Sequence, residues 1–217
     1  MFTMKKFAVM TAVGFMASLM VACGDDPDED CTDNPSLPEC QQPSSSSGNG
    51  GEVWTLDDLT GAGWAAKYTV TLGDANATPG SFLDIDTLFK GGSNIPFTIS
   101  TVGIVKDKID LIYDGTNLFT PVGCAVSCPT KLKNAIAGST SQSVFYTLPS
   151  NVTPATSASV IYNNVASYQQ VNNVGVTAKG VYYLQTSANW YALILVGAKA
   201  PSGSGQTLQI FIGYDHD

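Results

Sequence analysis

The sequence predicts a mainly β domain of the α+β class: a sandwich-like antiparallel sheet fold with one or two short helices and a C-terminal three-strand meander. Three observations carry this. Apolar and polar residues alternate at a period of two in several short runs, the pattern of strands with one face buried. The end of the chain holds three runs rich in aromatic and β-branched residues, separated by turn-forming stretches. Segments with helical spacing are few and short. Of the 217 residues, about 165 remain once a leader and a tether are subtracted, a length that suits one domain able to bury roughly 70% of its unfolded surface.

The domain is expected over residues 52–217, opening at Glu52, with Val53, Trp54 and Leu56 as the first apolar density. Tyr68, Val70 and Leu72 alternate with Lys67, Thr69 and Thr71 and predict a half-buried strand. Ser81-Phe82-Leu83-Asp84-Ile85-Asp86 is a second, shorter one. Ile109, Leu111 and Tyr113 against Asp110 and Asp114 make a third, with Asp114-Gly115 as a turn signal behind it. Pro129 stands where a first-turn proline belongs, Leu132, Ala135 and Ile136 share a face, and Gly138 closes the short helix. Val144, Tyr146 and Leu148 predict a fourth strand. Ile161, Val165 and Tyr168 line up in a second helical stretch, from about Thr156 to Tyr168, whose Asn and Ser content is poor for a helix interior. Val181 to Thr186, Trp190 to Val196 and Thr207 to Tyr214 form the meander, joined by Ser187-Ala188-Asn189 and a soft loop from Lys199 to Gln206. Because Tyr191 to Val196 is apolar on both faces, the middle strand is expected to be the buried one.

Residues 1–22 read as a secretion leader. Met4-Lys5-Lys6 supplies the positive start, and Phe7 to Ala22 is uncharged and shorter than a comfortable membrane span. The end of this run, Leu19-Met20-Val21-Ala22-Cys23-Gly24, resembles the bacterial lipobox, with Met20 where that pattern prefers Leu. The resemblance implies cleavage before Cys23 and acylation of its thiol, and two or more acyl chains suffice for stable anchoring. Gly24, in place of the Asp typical of inner-membrane retention, favours the outer membrane. Residues 23–51 form an acidic, Ser/Gly-rich tether with no means of building a core. Its Asp25 to Asp30 stretch resembles the surface-export tether of lipoproteins in some Gram-negative phyla, or is a solvated spacer. The expected address is the outer membrane, lipid-anchored, at the cell surface of a Gram-negative bacterium.

Composition removes most chemistry. No Arg occurs, all five Met lie in the first twenty residues, and the only His is His216. A bidentate phosphate clamp and a basic footprint for nucleic acid are therefore excluded. With Cys23 acylated, four Cys remain in an exported chain, and proximity favours the disulfides Cys31–Cys40 and Cys124–Cys128, the latter pinning a loop. Half a zinc site at Cys124 and Cys128 would lack its other ligands. His216, near the terminus, is a poor general base. Two carboxylate pairs, Asp84 with Asp86 and Asp107 with Asp110, are the remaining candidates for glycosidase chemistry, and Asp84-Ile85-Asp86 is equally a solvated strand face or a weak calcium site. No metal or cofactor is expected. Among the aromatics, Trp64, Trp190 and Tyr191 are the candidate ligand-binding residues, since planar rings beside Asn, Gln and Asp suit sugars, although most aromatics of a β domain are core.

Gly180-Val181-Tyr182-Tyr183-Leu184-Gln185-Thr186-Ser187, followed by Trp190-Tyr191-Ala192-Leu193-Ile194, resembles the closing strands of the HmuY-like β-rich bacterial surface lipoproteins. Ser81-Phe82-Leu83-Asp84 and Lys108-Ile109-Asp110-Leu111-Ile112-Tyr113 look like two upstream segments of the same or a related group. The likeness covers about half of the domain and implies a β-rich surface lipoprotein. Haem-carrying members hold iron through paired His or paired Met, which residues 23–217 do not supply, so the haem function is not carried over. The expected role is a non-catalytic binding or interaction domain at the cell envelope, with an envelope protein as partner. The alternative is a carbohydrate-binding surface lipoprotein taking a polysaccharide; an HmuY-like ligand carrier or a glycosidase ranks below both.

Overall fold

Short runs of apolar residues pair into two antiparallel sheets in the computed structural model, which describes residues 53–202 and 205–215. The leader, the tether, Cys23, Cys31, Cys40 and His216 lie outside the described residues. The larger sheet has six strands: β1 (Ala66–Gly73), β5 (Val144–Thr147), β6 (Gln169–Val171), β8 (Val181–Gln185), β9 (Tyr191–Ser202) and β10 (Gly205–Asp215), in the order β1-β10-β9-β8-β5-β6. The smaller has four: β2 (Phe82–Leu83), β3 (Leu111–Tyr113), β4 (Asn117–Phe119) and β7 (Asn173–Gly175), in that order. Four short helices, α1 (Ile85–Phe89), α2 (Pro121–Ser127), α3 (Thr130–Ala135) and α4 (Ala158–Asn164), complete the main elements. The fold is thus mainly antiparallel β with few short helices, as the alternation and the C-terminal runs predict.

The alternation of side chains across each strand sorts the apolar residues into three cores. Between the sheets lie Leu111, Tyr113 and Leu118 from the small sheet, packed against Phe145, Leu184, Ile194 and Ile212 from the large one. The other face of the small sheet turns Phe82, Ile112 and Phe119 toward Cys124 of α2 and Leu132 of α3. The other face of the large sheet turns Tyr146, Tyr183, Leu193 and Phe211 toward Leu59 and Ile161 of α4. Both sheets are therefore covered on both faces, which explains why β3 and the central part of β9 are buried at every position.

The meander forms as expected: β9 pairs with β8 and β10, with Ile194 opposite both Tyr182 and Ile212. The soft loop from Lys199 to Gln206 is instead a continuation of that hairpin. Lys199 pairs with Leu208 and Ala200 with Thr207; Lys199 and Ala200 are exposed and are held by the backbone ladder, while Leu208 opposite is buried in the core between the sheets. The helix after Pro129 appears as α3, with Gly138 at φ +73° behind it. The stretch from Thr156 to Tyr168 contracts to α4 and a following 3-10 turn, Val165–Ser167.

Three expectations are corrected. Ser81 to Asp86 is no continuous strand: β2 ends at Leu83, and Asp84 caps α1, its Oδ1 accepting from the Thr87 N–H at 2.8 Å and its Oδ2 from the Thr87 hydroxyl at 2.6 Å. The third strand is not half-buried, because α2 and α3 cover the face that Ile112 occupies. The Cys124–Cys128 disulfide forms, with its Cα atoms 4.5 Å apart, but it spans the last turn of a helix rather than a loop. Thr120 starts that helix by accepting from the Gly123 N–H, and Pro121 supplies its first residue.

Candidate functional site: an amide-lined cleft

The carboxylates singled out in the sequence serve the fold. Asp110 is fully buried at the start of β3, where its Oδ2 accepts from the N–H groups of Ile85 (2.9 Å) and Asp86 (3.4 Å). Its Oδ1 accepts from the Ser143 hydroxyl at 2.6 Å and the Ser187 N–H at 3.3 Å. One side chain thus ties α1, the entry to β5 and the β8–β9 turn together. Burial, with the negative Asp86 beside it, pushes the Asp110 carboxyl up to about 7, against the pull of these donors. Burial also raises Asp86, which the Thr186 hydroxyl and the Ala188 N–H hold. Asp107 is exposed and accepts from the Thr140 N–H at 2.8 Å, so it makes no pair with Asp110. Among the described residues no group of three or more His, Cys, Asp or Glu side chains is arranged to hold a metal ion. The calcium candidates Asp84 and Asp86 are a helix cap and a turn anchor.

The candidate aromatics do not come together. Trp190 stacks on Tyr214 at 5.0 Å, with Phe89 beside both. Tyr191, the next residue, belongs to the outer core of the large sheet, stacked on Tyr183 at 5.5 Å and met edge-on by Tyr162 at 5.1 Å. Trp64 packs in that same outer core, so close to Gly213 that a Cβ there would come within 3.0 Å of its ring. All three are half-buried packing residues, and Trp190 lies apart from the other two.

What the fold does assemble is a cleft of about 320 Å³ at one end of the large sheet. At this end the chain enters β5 and leaves β6 and β8, and Val122 of α2 forms part of the wall. Helix α2 is fixed there because the Thr120 N–H and hydroxyl both donate to the Asn172 carbonyl, at 2.9 and 3.2 Å, and because Gly123 leaves no room for a side chain against that same backbone. The lining is uncharged. Its side chains include the carboxamides of Gln142, Gln170, Asn172, Gln185 and Asn189, with Ser187 beside them and the buried Ser143 and Thr186, which bond Asp110 and Asp86.

Three of these carboxamides are oriented from behind. Gln170 Nε2 donates to the Tyr146 hydroxyl at 3.2 Å, and that hydroxyl donates to Gln185 Oε1 at 2.7 Å. Gln185 Nε2 then donates to Asn189 Oδ1 at 3.1 Å. The cross-strand register explains the arrangement: Gln170 lies opposite Tyr146 and Val144 opposite Gln185, so these side chains share one face of the sheet. Asn189 reaches the network from a turn in which it holds φ +64°, a conformation that Asn tolerates better than most residues.

Sequence reading did not find this cleft, because its amides are scattered over 48 positions from Gln142 to Asn189. The one local signal is Gln169-Gln170-Val171-Asn172-Asn173, an amide run at a strand edge. Compared with family models, curated proteins and solved structures, the chain matches none. The likeness to HmuY-like lipoproteins therefore rests on the quoted segments alone, and function must be argued from the cleft.

Proposed function

We propose that this chain is an outer-membrane lipoprotein, anchored through Cys23, whose β-rich domain binds a partner at the cell surface without catalysis. The cleft carries the reading: it is uncharged, its amides are pre-oriented by hydrogen bonds from behind, and such a lining suits recognition rather than proton transfer. Asp110, the carboxylate bonded to Ser143 and Ser187 of the lining, is fully buried and enclosed by its own donors. The Cys124–Cys128 bond agrees with an exported address, since disulfides persist in oxidising compartments. No described helix is long and apolar enough to cross a membrane, and attachment is assigned to acyl chains on Cys23. Metabolic labelling with palmitate in a Gram-negative host should mark the wild type and leave Cys23→Ser unlabelled, and protease added to intact cells should remove the labelled protein's domain. Equal labelling of both forms, or a domain protected until the outer membrane is opened, would contradict the anchor or its orientation.

A further inference from the structure

The geometry points to a ligand class for the cleft: we infer that it binds a neutral glycan, through carboxamides that grip neighbouring hydroxyls. This rests on the proposal that the domain binds without catalysis, and it names what is bound.

A sugar hydroxyl is donor and acceptor at once, and a carboxamide presents one acceptor oxygen and two N–H donors in a plane, so it can meet two adjacent hydroxyls together. A lining without a charged side chain gives no reward to phosphate, carboxylate or ammonium, and burying such a charge there would go unpaired. A lining whose only aliphatic side chains are Val122 and Val144 is a poor host for a lipid.

Pre-orientation decides which atoms face the ligand. The relay through Tyr146 engages Gln170 Nε2 and Gln185 Oε1, and Gln185 Nε2 engages Asn189 Oδ1. This leaves Gln170 Oε1 as an acceptor and the Asn189 amide hydrogens as donors at the two ends of the network. Gln142, held by its Nε2 bond to the Thr140 carbonyl at 3.3 Å, adds a second acceptor. Groups fixed before binding lose less entropy when the ligand arrives. An extended peptide is the competing occupant, and it would require the open backbone edge of β6. The cleft is built on the sheet's end and side-chain face, which favours the glycan.

The test is native affinity electrophoresis of the purified chain, in gels containing starch, laminarin, galactomannan or dextran, with polygalacturonate as a charged comparison. At least one neutral polysaccharide should retard the wild type, and polygalacturonate should not. Gln170→Leu should lower the apparent affinity fivefold or more. Tyr146→Phe, which keeps the packed ring and removes the positioning hydroxyl, should lower it at least threefold with the circular dichroism spectrum unchanged. If none of the four neutral polymers retards a folded chain, or if retardation is equal in both variants, the glycan inference fails while the anchored-binder reading stands on its own labelling test. New reducing ends appearing in a retarding polysaccharide would instead overturn the non-catalytic reading and leave glycan recognition intact.

Discussion

Asp110 shows how one residue serves packing and titration together. Its carboxyl is pushed up to about 7, above the unfolded value near 4. The native state therefore binds the proton more tightly than the unfolded chain, so stability is greatest below the unfolded value and is lost as pH rises from about 4 to about 7. Asp86, also raised, adds with the same sign. The loss through Asp110 alone should be on the order of 4 kcal/mol. Denaturant midpoints taken between pH 4 and 8 should fall over that window for the wild type and fall distinctly less for Asp110→Asn, in which the raised Asp86 alone remains and the amide keeps an acceptor for the Ile85 N–H. A wild type more stable at pH 7 than at pH 5 would show that the ionised form is the preferred one. Little of this was legible in the sequence, where Asp110 takes a polar place in an alternating run and reads as facing solvent. Its burial depends on Ser143 and Ser187, 33 and 77 residues away, closing over it.

Among the elements, those that declare themselves locally were legible and those defined by what covers them were not. The three strands of the meander were read from their aromatic and β-branched residues, but the polar continuation of the last hairpin from Lys199 to Gln206 was not. Strands β6 and β7 are short and amide-rich, and they exist as strands only because β5 and β4 lie beside them. Helix α2 escaped because Gly123, Cys124 and Ser127 are weak helix formers, although Thr120-Pro121 is a sound helix start. In this helix the disulfide closes a single turn whose two Cys already pack in a core with Phe82 and Leu132. The double variant Cys124→Ala/Cys128→Ala should therefore remain folded and lose about 1–3 kcal/mol, toward the low end for disulfides. Urea unfolding measures the loss, and non-reducing peptide mapping of envelope protein checks the bond. Two free thiols there would contradict the pairing.

At the scale of the whole molecule, the fold has two sheets with helices or coil on both outer faces, and the cleft opens where the large sheet ends. Its function was the least legible property, because binding residues drawn from β5, β6, β8 and a turn leave no spaced motif in one dimension. The composition argues against a bidentate phosphate clamp and a basic nucleic-acid footprint, and the cleft's uncharged lining suits the sugar-type alternative, though at amides rather than at Trp64, Trp190 and Tyr191. The side-chain amide signals of a ¹⁵N-labelled chain report most directly on that difference. Titration with a neutral oligosaccharide cut from a polymer that retards the protein should move the NH₂ resonances of Gln170, Gln185 and Asn189 and leave the Trp64 and Trp190 indole signals in place. Shifts confined to the indoles, with the cleft amides unmoved, would contradict the account.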